Sequence, residues 1–288
     1  MITSGREAVF WNPETGAELA RVPDATGGQA VFLPGGEWVA ASGDVVRRWS
    51  AEPPYKPVGE KLYSLGRKEP DWTRPVGAVT RDGAWAAVTE LAPGSVSLVS
   101  TAGNQAPVQC PQPGAFDASF SPDGKLLATS SIGNQVTPVR IWEVPSGRKV
   151  RELPGTAYAR AMFTPDGNWL VTGTKTAYQF WKVGTWERGL QIPRPGRNNT
   201  GPMAFSADGR MMACMPEPLT VKLLDPNTGN ELATLTPPAL ASVEDLCFSP
   251  DGTKLAISTG TAITYLWDLR LIRHQLREMN LDWESPEP

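Results

Sequence analysis

Histidine is nearly absent from this chain of 288 residues, which contains one, His274. Ser-His-Asp catalysis and histidine-rich metal sites therefore have almost no residues to work with. Cysteine is also scarce: the three residues, Cys110, Cys214 and Cys247, lie far apart in the sequence. This odd number and wide spacing predict reduced, partly buried thiols rather than a disulfide framework.

Charge and long apolar runs are limited too. Charged residues make up 20% of the chain and the net charge is −3, so no sequence-independent nucleic-acid binding is expected. No run of about 18 apolar residues predicts a membrane span. Residues 1–5 lack the basic and apolar stretches of a secretory signal, which favours a cytoplasmic location. No Walker loop or Cys-x-x-Cys pair is present, and no cofactor or metal is predicted.

Glycine and proline, in contrast, are abundant at 28 residues each, and many of them belong to a repeat. An apolar residue is followed by two small or polar residues and then by Asp-Gly or a close variant. The six copies are Phe32–Gly36, Val79–Gly83, Phe120–Gly124, Phe163–Gly167, Phe205–Gly209 and Phe248–Gly252. Their last glycines are 47, 41, 43, 42 and 43 residues apart, a spacing too even for chance.

Each copy sits in the same surroundings, which predict four short antiparallel strands, a to d, joined by tight turns. Four-stranded units at this period predict an all-β fold, a β-propeller. Residues 1–23 read as a first blade without strand a, and the last blade lacks strand d. We therefore expect about seven blades over residues 1–270, the first and last incomplete. Six blades that close with a strand from the N-terminus are the alternative, and a third interpretation is a C-terminal piece of a longer protein.

The repeats resemble those of the WD40 family, most clearly in Phe120–Gly124 with Val139–Trp142 and in Phe248–Gly252 with Leu266–Asp268. The resemblance covers roughly residues 5–270 and implies a propeller that binds proteins. The family's Gly-His pair is missing, and Trp267-Asp268 alone keeps the Trp-Asp pair. The Asp–His–Ser/Thr–Trp hydrogen-bond network of the family is therefore expected in none of the blades.

A C-terminal helix and tail are predicted over residues 271–288, with Asp268 as the N-cap. Leu269, Ile272, Leu276 and Met279 are spaced as one face of a helix, whereas Arg270, Arg273 and Arg277 mostly lie off it. We expect this helix to cap the propeller. The segment resembles the C-terminal cap of WD40 domains in large bacterial proteins, some of which carry a kinase domain.

Residue types that suggest catalysis have structural explanations in the repeat. Each Pro-Asp-Gly aspartate occupies the same turn of its own unit. Five tryptophans share one strand-c position and are expected to pack in the core; they are Trp11, Trp49, Trp142, Trp181 and Trp267. The lone His274 falls on the polar side of the C-terminal helix. We therefore expect no enzyme activity.

The loops that differ between repeats are better candidates for binding. The d–a loop after the second unit is the longest and places Trp72 among charges, and the loops at 193–201 and 131–138 are also extended. Asp117 and Arg160 are predicted near the ends of inner strands on the same side. The predicted partner-binding residues are Arg67, Lys68, Trp72, Arg74, Asp117, Arg160, Arg194 and Arg197.

The sequence thus predicts a non-catalytic, monomeric interaction scaffold for a protein or peptide partner, as a module of a larger signalling protein. Two alternatives remain open. One is a propeller enzyme such as a hydrolase, a lactonase or a quinone-dependent dehydrogenase. The other is an extracytoplasmic sensor domain.

Overall fold

A computed structural model describes residues 2–4, 7–25, 30–66, 75–90, 94–131, 138–154, 159–194, 201–217, 219–237, 243–260, 263–280 and 282. The chain divides into two compact units, Met1–Ala157 and Tyr158–Pro288. Each unit is built from antiparallel sheets whose strands follow one another in chain order.

The first unit contains sheets I to IV. Sheet I consists of β1 (Ile2–Ser4), β2 (Ala8–Trp11) and β3 (Glu18–Val22). Sheet II consists of β4 (Ala30–Phe32), β5 (Trp38–Ser42), β6 (Val45–Trp49) and β7 (Pro57–Ser64). Sheet III consists of β8 (Val76–Val79), β9 (Trp85–Glu90), β10 (Ser95–Ser100) and β11 (Val108–Pro111). Sheet IV consists of β12 (Ala115–Phe120), β13 (Leu126–Ser131), β14 (Val139–Glu143) and β15 (Lys149–Leu153).

The second unit contains sheets V to VII and a helix. Sheet V consists of β16 (Arg160–Phe163), β17 (Trp169–Gly173), β18 (Ala177–Lys182) and β19 (Arg188–Pro193). Sheet VI consists of β20 (Met203–Phe205), β21 (Met212–Cys214), β22 (Val221–Leu224) and β23 (Glu231–Leu235). Sheet VII consists of β24 (Val243–Phe248), β25 (Lys254–Thr259) and β26 (Thr264–Asp268), and α1 (Leu269–Glu278) follows.

The predicted fold class is confirmed: the protein is all-β, and its sheets are the blades of a β-propeller. The described residues form seven sheets, of which I and VII have three strands and the others four. The six-bladed alternative is wrong, because β3 pairs with β2 in a sheet of its own and so does not serve as strand d of sheet VII.

Apolar side chains pack between consecutive sheets inside each unit. In the first unit, Phe10 of sheet I shares a cluster with Trp38 and Trp49 of sheet II. In the second, Phe180 of sheet V shares one with Met212 of sheet VI. Each sheet buries side chains on both faces in this way.

The repeated Asp-Gly turns connect strands a and b through one hydrogen-bond pattern. A Ser or Thr hydroxyl donates to the aspartate two residues later at 2.5–2.6 Å. The same hydroxyl oxygen accepts the N–H of the residue five positions on, at 2.9–3.1 Å. The following glycine has a positive φ, such as 70° at Gly124, a conformation that other residues rarely adopt.

The turn hydrogen bonds lower the pKa of their aspartates, because they stabilise the charged form. Bonds from Ser249 and from the N–H and hydroxyl of Thr253 lower the pKa of Asp251 to about 2. The hydroxyl of Ser121 likewise lowers the pKa of Asp123. This stabilisation is complete above the unfolded pKa of about 4 and is lost as the pH falls through the folded value.

The sequence predicts the Asp–His–Ser/Thr–Trp hydrogen-bond network in none of the blades, but two blades contain part of it. Trp142 Nε1 donates to Thr129 Oγ1 at 2.9 Å, and that hydroxyl donates to Gln112 Oε1 at 3.0 Å. Gln112 in turn donates to the backbone carbonyl of Pro138 at 3.2 Å, so it takes the place that a histidine has in the family's network. In sheet V, Trp181 Nε1 donates to Thr172 Oγ1 at 3.0 Å.

Trp49 of sheet II lacks this hydroxyl partner. Its Nε1 is buried and has no hydrogen-bond partner within the described ranges. The strand register gives the reason. Thr129 and Thr172 each lie on strand b, two residues after the residue that pairs with the strand-c tryptophan of their sheet. In sheet II the residue at this position is Ala40, which has no hydroxyl. The predicted core packing is confirmed for Trp49, Trp142 and Trp181, which are 1%, 4% and 6% exposed; Trp11 and Trp267 are only half-buried.

The C-terminal helix α1 begins at Leu269, two residues before the predicted boundary. Asp268 is its N-cap, as predicted, and accepts from the N–H of Leu271 at 3.0 Å. Leu269, Ile272 and Leu276 pack against the core cluster of sheets VI and VII.

Two residues of α1 depart from the predicted pattern. Met279 is 57% exposed at the C-cap, because the helix has already ended there. Arg273 is buried and forms two bonds to the carboxylate of Asp282, at 3.0 and 3.1 Å. His274 lies on the exposed side of the helix, as predicted.

Replacing Asp251 by Asn should flatten the acid dependence of stability. The wild type should lose on the order of 1 kcal/mol through this residue between about pH 5 and pH 2, after allowance for solvent screening. Urea unfolding at both pH values measures the loss. Asp24→Asn, in an exposed turn, is the matched control and should keep the wild-type slope. Identical slopes for Asp251→Asn and the wild type would contradict the assignment.

Replacing Ala40 by Thr should raise the free energy of unfolding. The new hydroxyl would accept from the buried Nε1 of Trp49, and such a bond is worth about 1 kcal/mol. Ala40→Val adds the same volume without a hydroxyl, so the difference between the two variants isolates the hydrogen bond. Equal stability of the Thr and Val variants in chemical denaturation would show that no bond forms.

Candidate interaction site

The structure describes three of the eight predicted partner-binding residues: Asp117, Arg160 and Arg194. The others lie outside the described residues; they are Arg67, Lys68, Trp72, Arg74 and Arg197. The loops that carry them were predicted from their length, and that prediction stays untested.

Asp117 and Arg160 hold equivalent places on the first strands of two blades. Asp117 of β12 stands three residues before Phe120, and Arg160 of β16 stands three residues before Phe163. A third member of this set was not predicted: Asp245 stands three residues before Phe248 on β24. The repeat alignment contained the signal, since the three charges share one register position.

Within the second unit, Arg160 and Asp245 form an ion pair. Nη1 of Arg160 lies 2.8 Å from Oδ1 of Asp245, and Nη2 donates to the backbone carbonyl of Glu244 at 3.0 Å. Arg160 is therefore held by β24, two blades along the chain from its own strand.

The two partners of this pair differ in exposure, which decides what each can do. Arg160 is 6% exposed, and its guanidinium depends on these bonds because an isolated buried charge is costly. The side chain of Asp245 is 36% exposed. The pair thus anchors the arginine and leaves part of the carboxylate accessible to a partner.

A β-bulge helps to set this geometry. The pairing of β24 with β25 shifts register between Val243 and Asp245, and β12 has the same shift between Ala115 and Asp117. A bulge re-aims the side chains of its strand. Asp117 and Asp245 each follow such a bulge. The two aspartates therefore share the local strand geometry as well as the position in the repeat.

Arg194 does not fit the predicted role as an exposed contact residue, because it is only 1% exposed. Its Nε donates to the carbonyl of Met215 at 2.9 Å, and its Nη1 donates to the carbonyl of Thr174. Its guanidinium also lies 5.1 Å from the ring centre of Tyr178. Arg194 is therefore a structural residue that joins sheets V and VI, and it does not belong to the exposed partner-binding residues.

A second polar cluster lies in the first unit, between β7 and sheet III. The hydroxyl of Tyr63 donates to Glu90 at 2.5 Å and accepts from Ser97 at 2.8 Å. Gln109 donates to Ser97 at 2.8 Å. Burial, with the added effect of Glu90, raises the pKa of Tyr63. Ser97 is fully buried, and the cluster joins two neighbouring blades.

The described residues contain no group of three or more His, Cys, Asp or Glu side chains placed to hold a metal ion. Cys110 and Cys214 are free and buried, and burial raises the pKa of each to about 12. Cys247 is also free but exposed, so the predicted partial burial does not apply to it. Of the helices in the described ranges, none has the length and apolarity that crossing a membrane requires.

Comparisons with known proteins identify the fold but no family. Neither a scan of family models nor a search of curated proteins gives a match. Among solved structures 1528 chains match, so the fold is widely shared. One is hydrazine synthase from Kuenenia stuttgartiensis, with a TM-score of 0.69 and 14% identity over 91% of this chain and 89% of that one. At such identity the likeness shows the fold alone, and the WD40 resemblance stays a prediction.

The ion pair between Arg160 and Asp245 should appear as coupling in a double-mutant cycle. We expect Arg160→Ala, Asp245→Ala and the double variant to be non-additive by about 1–2 kcal/mol in urea unfolding, because the arginine is buried. The control is a second cycle that combines Asp245→Ala with Arg188→Ala, since Arg188 is an exposed arginine on β19. Additive effects for both combinations would contradict a stabilising pair.

Proposed function

We propose that this protein is a non-catalytic interaction scaffold, a module of a larger signalling protein that binds a protein or peptide partner through the loop surface defined by Trp72 and Arg74. In the second unit, the partly exposed side chain of Asp245 is an independent candidate for a polar contact with a partner. The partner is recognised by surface contacts, and no bond in it is made or broken.

One observation carries the proposal: in the part of the chain that the structure describes, the turn aspartates and two buried arginines are occupied in holding the blades together. The turn aspartates accept hydrogen bonds from their own turns. Arg160 and Arg194 are buried against carboxylate and carbonyl oxygens. Catalytic groups need accessible, poised side chains, whereas binding requires only exposed groups on a rigid frame.

The loop surface supplies residue types suited to a protein partner. Trp and Arg are enriched at the energetic centres of interfaces, and Trp72 and Arg74 follow one another closely in the longest insertion between repeats. Trp72 falls off the repeated strand-c position, so the repeat pattern does not assign it to the core.

An enzyme is the competing interpretation, since one solved structure with this fold is hydrazine synthase. That likeness concerns the fold, and a fold hosts many unrelated functions. Metal analysis and an absorbance scan of the purified protein distinguish the two. A stoichiometric metal or a quinone band would favour the enzyme over the scaffold.

Site-specific photo-crosslinking should locate the partner on the loop surface. A photoreactive phenylalanine at position 72 should give a discrete crosslinked product in cell extract, because the side chain contacts the partner. The same probe at Val150, which is exposed on β15, is the matched control. Arg74→Ala should weaken the product at position 72 by about tenfold, the effect of losing a hot-spot residue. Equal products at positions 72 and 150 would count against this surface.

A further inference from the structure

Sheet VII ends differently from the other sheets. In sheets II to VI a fourth strand pairs with the third, and in sheet I β3 takes the equivalent outer place. In sheet VII the chain leaves β26 at Asp268 and enters α1 at Leu269. Within the described residues, no strand therefore pairs with the outer edge of β26.

The backbone hydrogen bonds show which groups face this open edge. The carbonyl of Ile263 accepts from Thr259 of β25 at 3.0 Å, and the N–H of Leu269 donates to Thr253 at 2.8 Å. Backbone groups of successive residues in an antiparallel strand point to alternate sides, so the odd-numbered residues face β25. The residues whose backbone groups face outward are Thr264, Leu266 and Asp268.

The equivalent edge groups are paired in other sheets. The residue after the strand-c tryptophan position donates its N–H to the turn that leads into the outer strand, at 2.8–2.9 Å. These donor and acceptor pairs are Asn12 with Ala17, Glu143 with Arg148, Lys182 with Glu187, and Asp225 with Asn230. Asp268 holds the same position in sheet VII, where the turn and outer strand are replaced by α1.

The side chains of β26 also lack the cover that a fourth strand gives. Every residue of β26 is partly exposed, whereas most of β14 and β18 is buried. The half-buried Trp267 contrasts with the buried Trp142 and Trp181 at the same register position. An added strand would therefore bury apolar surface as well as pair backbone groups.

The protein's own outer strands define the chemistry that fits such an edge. A charged residue lies opposite the tryptophan position, and an apolar residue closes the strand four positions later. The segments with this pattern are Glu18–Val22, Lys149–Leu153, Arg188–Ile192 and Glu231–Leu235.

At the edge of β26 a basic residue fits the first position best. In sheet V the guanidinium of Arg188 lies 5.4 Å from the ring centre of Trp181, an attractive cation–π contact. In sheet VII, a Lys or Arg opposite Trp267 would form the same contact, because residues directly opposite each other in a strand pair share one face of the sheet.

We propose that the outer edge of β26 binds an extended segment of a partner protein, which adds to sheet VII as an antiparallel fourth strand. The segment begins with a basic residue opposite Trp267 and ends with an apolar residue opposite Thr264. Strand addition of this kind derives affinity from main-chain bonds and specificity from alternate side chains. This proposal rests on other residues than those of the loop surface proposed above, so either proposal can fail without the other.

A peptide copy of residues 146–154, Ser-Gly-Arg-Lys-Val-Arg-Glu-Leu-Pro, is the probe. By the register of sheet IV, its Lys149 should lie opposite Trp267 and its Arg151 opposite Leu266. Labelled peptide should bind the full chain saturably in fluorescence anisotropy. Hydrogen exchange should then slow at the Leu266 amide, which faces the edge, while the Trp267 amide, already bonded to β25, changes little.

Proline variants on both sides test the main-chain bonds. Arg151→Pro in the peptide removes the N–H that faces Leu266 and should weaken binding by about tenfold or more, whereas Arg151→Ala keeps that N–H and should bind within a few-fold. In the protein, Leu266→Pro removes an outward N–H at an edge, where proline is tolerated, with Leu266→Ala as its control. The peptide arm keeps the test valid if Leu266→Pro fails to fold.

Three results would overturn the proposal: no saturable binding, binding that both prolines leave unchanged, or binding without protection of Leu266. A fourth is self-association, seen as a dimer in sedimentation that Leu266→Pro abolishes and Leu266→Ala preserves. That result would assign the edge to a second copy of this chain.

Discussion

In sheets III to VII, the hydrogen bond from a Ser or Thr hydroxyl to the aspartate two residues later fixes where strand a turns into strand b. The hydroxyl oxygen also accepts the N–H that begins strand b, so one side chain closes the turn and starts the next strand. Once this start is fixed, the two-residue alternation of a strand determines which side chains face each neighbouring sheet. The inter-sheet clusters, the Trp–Thr bonds and the open edge of β26 all follow from that register.

This dependence explains why the fold could be predicted from one sequence. The turn needs a small hydroxyl, an aspartate and a residue with positive φ, and few other combinations satisfy it. The chemistry therefore leaves a visible repeat, Ser121-Pro122-Asp123-Gly124 being one copy. The missing outer strand of the last blade was predictable too, because the apolar spacing changes from that of a strand to that of a helix after Trp267.

The candidate site was less predictable, because its bonds join residues distant in sequence. Arg194 follows a strand in a polar loop, yet carbonyls of Thr174 and Met215 bind its guanidinium inside the unit. Nothing local marks those carbonyls. Asp245 is the opposite case: its partner is 85 residues away, but the repeat places it in the same register as Asp117. Gln112 could not be foreseen either, since its role became apparent only from the hydroxyl of Thr129 beside it.

The blades have two kinds of outer strand edge, which differ in the side chains that they carry. Where strand d is present, as at β15, its outer edge carries charged and strongly exposed side chains, and such edges resist pairing with foreign strands. The edge of β26 carries Tyr265 and Trp267 instead, both partly covered by the core cluster of sheets VI and VII. A charged edge and an aromatic edge on the same scaffold have different physical consequences: the first repels added strands, and the second gains buried area and main-chain bonds when one arrives.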